Sequence, residues 1–452
     1  MVGMQHLSER SLITRKHIDR LAVPAIISGI AEPVISLVDT AFIGQFNDLD
    51  MLGAVGIGSS FFLLVLWVLA QTRSAVLAVV ARYYGEQRLD AIAGLVPIAT
   101  WTNFGLGLAF IGITYPFAER IFEAYNASGR QLELTCDYFR MRCLGFPISL
   151  AVYALTGAFR GIQNLRWGMW ISIVGAAVNL ALNPLLIFGF GPVPALGIEG
   201  SALASVIAQV SMLAACIVVL RTRTPFTLWP SSWQNPEFLP LMRNSGQLFA
   251  RTITLNICYY LGNRYATGYS TAHIGAHSIA MQLWLFSAFF IDGYAAAGSV
   301  LVGRLNGERA RHATGWGDVH RVSWQVARMS VLIGAALAVI YALGYDFIGP
   351  LFTSDARVLA LLGGVLWMVI ITQPINAVAF AFDGIYKGLG NGKVLRNVLL
   401  ASTFLVFVPV AWGGDALGWE LHAVWCAFLA WMAVRGLLLA LHFEKHHAPV
   451  RA

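Results

Sequence analysis

Charge is scarce in this 452-residue chain: Asp, Glu, Lys and Arg make up 12% of it, where an ordinary soluble domain holds about a quarter. With 58% hydrophobic residues and a mean hydropathy of +0.67, that scarcity excludes a water-soluble globule. Cysteine is also rare. Cys136, Cys143, Cys216, Cys258 and Cys426 show no CxxC or metal spacing, so no metal centre is expected and they read as small core residues. Phosphate-binding loops, GxSxG elbows and zinc-protease spacings do not occur, which excludes ATP as the energy source and leaves no soluble-enzyme signature. The opening MVGMQHLSERSLITRKHIDR is polar and lacks an apolar core with a cleavage site, so no removable signal peptide is expected. A net charge of +7 would suggest nucleic acid only if the basic residues shared one surface. They are instead dealt out along the loops.

What the chain has is apolar runs of membrane-spanning length, about 20 residues each. They fall at 21–45, 53–81, 93–116, 138–158, 167–189 and 197–220, then at 245–268, 275–303, 323–344, 358–385, 395–412 and 420–442. The pattern predicts an all-α integral membrane protein with twelve transmembrane helices. Orientation follows from Lys and Arg near the span ends. The N-terminal tail holds Arg10, Arg15, Lys16 and Arg20, and every second loop is basic, from Arg82 and Arg88 to Lys387, Lys393 and Arg396. Intervening loops hold acids such as Asp48, Asp50, Glu119, Glu123 and Asp415. Both tails are therefore expected on the cytoplasmic side.

The first span, LAVPAIISGIAEPVISLVDTAFIGQ, carries Glu32 and Asp39. A carboxylate in a bilayer costs roughly 2.5–3.5 kcal/mol even on the lenient insertion scale, and is seldom kept without a use. The two acids are seven residues apart, hence near one helix face, and Pro24 and Pro33 each remove a backbone hydrogen bond and invite a bend.

The chain also repeats itself. LGAVGIG (52–58) and ARYYGEQ (81–87) answer to IGAHSIA (274–280) and GRLNGER (303–309) at an offset of 222 residues, and GAFRGIQN (157–164) answers to GIYKGLGN (384–391). Two homologous halves of six spans follow, a mark of transporters. The expected organisation is a cytoplasmic tail (1–20), an N-lobe (21–220), a cytoplasmic linker (221–240), a C-lobe (241–442) and a second cytoplasmic tail (443–452), the lobes being pseudo-symmetric six-helix units.

LVDTAFIGQF in the first span, ARYYGEQ, GAFRGIQN and NLALNPLLIFG (179–189) resemble the multidrug and toxic compound extrusion (MATE) transporters. RTITLN (251–256), FFIDGYAAAGSVLVGRLNGE (289–308) and AFDGIYKGLGN (381–391) are similar to the DinF-type branch. The likeness runs from about residue 20 to 435. It implies export of organic cations and other amphiphilic drugs or dyes by antiport against protons or sodium ions, without a cofactor, in a bacterial inner membrane. It also implies that Asp39 is the coupling acid, with Asn179, Asn183 and Ser205 beside it. Asn183 stands where the family usually has an aspartate, and Ser205 where it often has threonine.

With only one carboxylate left among amides and a hydroxyl, proton coupling is expected over sodium, with Glu32 as a possible relay. In the second half Asp292, Asp383, Arg251 and Met281 are the candidates for substrate binding or a polar network. Asp383 is one turn before Lys387 and suits an i,i+4 ion pair. Arg73, inside the second span, is expected to pair with an acid across helices. His273 and His277 are expected at the surface of an outer loop. Among Trp284, Phe286, Phe289 and Phe290, some could meet flat cations through cation–π contact. A monomer is expected, in contact with lipid and not with nucleic acid. The rival readings are a sodium-coupled antiporter of the same fold, a lipid-linked precursor flippase, which would want a cationic cavity, and a membrane-embedded enzyme, which would need a nucleophile–base pair or metal cluster.

Overall fold

The computed structural model describes residues 14–46, 48–192 and 194–449, with the backbone alone at 31, 32, 36 and 37. Among the described residues the chain is helical and forms no β-strand. In chain order the helices are α1 (Arg15–Gly44), α2 (Leu49–Leu69), α3 (Thr72–Glu86), α4 (Leu95–Thr114), the short α5 (Ala118–Glu123), α6 (Gly129–Cys143), α7 (Phe146–Gly161), α8 (Leu165–Phe188) and α9 (Gly197–Arg223). After an irregular stretch come α10 (Phe238–Tyr269), α11 (Thr271–His312), α12 (Gly317–Leu343), α13 (Tyr345–Phe352), α14 (Ala356–Gly388), α15 (Gly392–Ser402), α16 (Val408–Ala416) and α17 (Leu421–His447). One π-helical turn, Thr403–Phe407, joins α15 to α16.

Ten helical stretches among the described residues are long and apolar enough to cross a membrane, and α6 with α7, bent by 42° at their junction, makes an eleventh. Helix α10 is 32 residues long but more polar, with Arg243, Arg251 and Arg264 along it. Counting it gives the twelve membrane-length rods expected from the sequence.

The chain divides into two compact units, one of Ile27–Ile253, the other of the described residues up to Ile26 together with those from Thr254 onward. The divisions fall inside α1 and α10. The first turns of α1 belong to the second unit, where the Tyr294 hydroxyl donates to Asp19 at 2.9 Å. The rest of α1 belongs to the first, where Ser28 and Ser172 share a hydrogen bond of 3.1 Å.

The internal repeat has a structural cause. A Cβ on Gly157 would lie 2.5 Å from the Arg73 carbonyl oxygen, so α7 rests on the α3 backbone. A Cβ on Gly384 would lie 2.1 Å from the Ala295 carbonyl oxygen, and one on Gly388 2.3 Å from that of Ser299. Arg73 and Ala295 differ by the same 222 residues as the repeated motifs. Each half thus uses glycines one turn apart to bring two helices into backbone contact, as small residues do in membrane bundles. The core of the second unit is built from large side chains, Trp284, Trp425, Trp431 and Phe428 among them.

Outside the spans, Asp48 caps α2 by accepting from the backbone N–H groups of Asp50 and Met51 and pairs with Arg130. The Met51 N–H bond and the guanidinium hold its carboxyl below the usual range. All five cysteines are free, four of them buried.

Candidate functional site

Helix α1 carries Asp39 into the interior of the first unit, where the side chain is fully buried. Helix α8 starts at Asn164, whose side chain accepts from the Trp167 N–H, and brings Asn179 and Asn183 in one turn apart on one face. Pro184 follows directly and cannot donate to the carbonyl four residues back, which loosens the helix at the site. Two glycines let α9 approach α8. A Cβ on Gly200 would lie 2.3 Å from the Leu186 carbonyl oxygen, and one on Gly175 would lie 2.5 Å from the Met212 sulfur. Ser205 on α9 lies between these contacts and completes the cluster.

Every hydrogen bond at the carboxylate runs toward it. Asn183 Nδ2 donates to Asp39 Oδ1 at 2.8 Å, Asn179 Nδ2 to the same oxygen at 3.2 Å, and Ser205 Oγ to Oδ2 at 2.9 Å. Asn179 Nδ2 also donates to Ser205 Oγ at 3.0 Å, and Asn183 Nδ2 to Asn179 Oδ1 at 3.1 Å. Asn183 Oδ1 is buried without a protein donor. The structure brings together four of the five residues expected at the coupling site. The side chain of the fifth, Glu32, lies outside the described residues.

One buried charge near the cluster was missed. Arg142, on α6, is buried, its Cζ 4.7 Å from the centre of the Phe62 ring, with Nε and Nη1 unpartnered. Its charge acts on both Asp39 and Tyr138, and Tyr138, one turn earlier, shares a 2.9 Å hydrogen bond with Ser59. A signal was present, because an arginine inside a span calls for a nearby acid. It lies four residues into the predicted 138–158 span, where it reads as an end residue.

The candidates of the second half are divided between the two units. Asp383 is 2% exposed and accepts from Arg435 Nη2 at 2.7 Å, while Lys387 Nζ lies 3.0 Å from its other oxygen. The expected Asp383–Lys387 pair is present, and Arg435, 1% exposed and close to the Phe380 and Trp431 rings, is the stronger partner. Asp292 is exposed, Arg251 is buried in the first unit, and Met281 packs, partly buried, against the core of the second.

Two expectations need correction. Among the described residues Arg73 lies over the Tyr153 ring, Cζ 5.1 Å from its centre, and forms no ion pair with an acid. His277 is fully buried beside the Trp425 and Phe428 rings, because α11 turns it inward. His273 alone stays near the surface, bonded to Ser270 and Glu420. Of the aromatic candidates Trp284 is buried in the core while Phe286 is exposed. Among the described residues no group of three or more His, Cys, Asp or Glu side chains could hold a metal ion.

The MatE family model matches residues 24–185 and 248–412. The chain is 26% identical over 434 residues to the DNA damage-inducible protein F of Escherichia coli, covering 94% of this chain and 91% of that protein. It is 22% identical to a probable multidrug resistance protein NorM of Pasteurella multocida, with 95% and 93% covered. A crystal structure of a MATE protein in a bent conformation superposes with a TM-score of 0.88 at 18% identity, over 95% of each chain.

Proposed function

From the premise that the chain belongs to the MatE family, we propose that it exports cationic or amphiphilic compounds by antiport against protons, with Asp39 as the group that takes up and releases the proton. The observation that carries this reading is the composition of the Asp39 cluster: one carboxylate, three side chains donating to it, and a buried arginine close by. A sodium ion wants several hard oxygen ligands and compensating negative charge. Here the second acid is replaced by Asn183, the Asn179 oxygen already accepts from Asn183, and Arg142 adds a buried positive charge that acts on Asp39.

A proton needs less. Protonating Asp39 turns one acceptor oxygen into a donor, and that O–H must then find an acceptor. Rotating the Asn183 amide would present its unpartnered Oδ1 to the new donor. The cluster can thus exist in two hydrogen-bonded states that differ by one proton and one amide flip. Pro184, directly after Asn183, gives the backbone there the slack to follow. If cargo binding favours the ionised state, proton and cargo each weaken the other's binding by the same factor, and alternating access turns that competition into export. NorM proteins carry the description of multidrug resistance, which supports a broad, amphiphilic cargo class, and the expected site is the bacterial inner membrane.

The test is efflux of a fluorescent cation from everted vesicles, with pH and sodium gradients imposed separately. Efflux driven by the pH gradient in sodium-free buffer is expected. Strict dependence on sodium at a fixed pH gradient would refute proton coupling.

A further inference from the structure

A second buried polar site lies one helical turn from the Asp39 cluster. Helices α6 and α7 form one span broken by 42°. At the break the N–H groups of Leu144 and Gly145 bond three residues back, to Met141 and Arg142. Gly145 leaves a notch there, and the Gln209 side chain of α9 fills it: a Cβ at position 145 would fall 1.7 Å from Gln209 Oε1. Ser149, one turn beyond Gly145, and Gln209 are both 4% exposed. Neither Ser149 Oγ nor Gln209 Oε1 has a protein partner. The two residues line one cavity together with Val152, Tyr153 and Met212, and it has room for about one water.

Two buried polar oxygens facing a water-sized void do not stay unsatisfied in a folded protein. We propose that this cavity binds a single buried water, and that this water is a step of the route by which the proton passes between Asp39 and the cytoplasmic side. The Ser149 hydroxyl donates to the water, and the water donates to Gln209 Oε1. A proton arriving on the water oxygen forms a hydronium, which releases a different O–H proton to the next water along the path and regenerates the first, with nothing oxidised or reduced. Gln209 is a positioning residue and holds no proton itself. It follows Ser205 by one turn of α9, about 6 Å along the axis, and Ser205 donates to Asp39 Oδ2. The charged and titratable groups around this path are Asp39, the Arg142 cation, Tyr138, and Tyr153 with Arg73 over its ring. Ionised Asp39 offsets one of the two arginine charges along this path.

The transport role rests on the proton reading above; the water site does not. The test uses the full chain in lipid nanodiscs, as wild type, Ser149→Ala and Ser149→Ala/Gln209→Leu, each matched for folded amount by thermal melting. In X-ray hydroxyl-radical footprinting the wild type should label Met212 or Tyr153 from a held water, and the double variant should lose that label severalfold. In proteoliposomes, proton-driven efflux by the double variant should slow severalfold, with the Kd for a fluorescent cation unchanged. An unlabelled wild type, or equal labelling in wild type and double variant, overturns the water site. Lost label with unchanged efflux rate overturns its part in the proton route. A sodium requirement for wild-type efflux would refute the proton reading and the route with it, but would leave the footprint in place, so the two failures are distinguishable.

Discussion

Asp383 is the acid whose role a single substitution separates most clearly. It lies between Arg435 at 2.7 Å and Lys387 at 3.0 Å, with Arg435 almost wholly out of solvent. At about 3 Å and an effective dielectric near 20, each contact is worth roughly 5 kcal/mol of gross attraction. Desolvation of the buried charges offsets most of that, so the intact group adds little net stability. Breaking it is another matter. Asp383→Ala takes the carboxylate from the buried Arg435 guanidinium, which lies near the Phe380 and Trp431 rings, at a cost of about 3–5 kcal/mol. Lys387→Ala removes the more exposed partner and leaves Asp383 bonded to Arg435, so it should cost less than Asp383→Ala. Asp383→Leu combined with Arg435→Met should recover most of the loss, because the charge left over is that of the partly exposed Lys387. Thermal melting of the purified variants in detergent reads the series; the Asp383→Ala shift should be on the order of 5–10 °C. Efflux per folded molecule should stay near wild type in the double variant. If Asp383→Asn melts like wild type and yet abolishes coupled efflux, Asp383 is a coupling acid and the clamp account is wrong.

Other consequences follow from the packing and the cluster. Gly157→Ala and Gly384→Ala each put a Cβ against a backbone carbonyl oxygen of the neighbouring helix, and each should cost about 1–3 kcal/mol, measured as lower melting temperature; unchanged melting would mean that the helices separate freely. Arg142→Met should shift the pH midpoint of cargo binding while Arg142→Lys keeps it near wild type, since Arg142 is the cation that acts on Asp39; an unmoved midpoint in Arg142→Met would remove it from the site. A topology reporter placed in the 46–51 loop should read periplasmic and one fused after position 451 cytoplasmic, because basic residues alternate with acidic loops along the chain; the opposite signals would break the orientation argument.

The fold was legible wherever burial is set by long apolar runs. Each expected span falls on a described helix or on consecutive helices, including α10, whose arginines lower its hydropathy without ending it. The residues alone showed an acid in an apolar run and two asparagines one turn apart; that Asn179, Asn183 and Ser205 lie beside Asp39 was what the family resemblance implied. Spacing along one helix cannot say which residue of a distant helix completes a site. That is why Arg142 and Arg435 were missed, each more than fifty residues from the acid it serves. The same limit turned His277 around. Its place near a loop suggests exposure, but α11 carries the inward face of the helix up to that turn, where Trp425 and Phe428 cover it. The two units exchange chain inside α1 and α10, which no composition shift marks.

The central claim is that Asp39 changes protonation as cargo binds and leaves. Asp39→Asn keeps the shape of the side chain but cannot titrate. The direct measurement is the affinity of purified wild type and Asp39→Asn for a fluorescent cation across roughly three pH units around neutrality, with vesicle efflux alongside, since linkage between proton and cargo requires a group whose proton is exchanged. Wild-type binding should weaken as pH falls, and the variant should bind with an affinity that no longer depends on pH and should not pump. A variant that still pumps, with binding that follows pH as the wild type does, would contradict the account and place the coupling acid elsewhere.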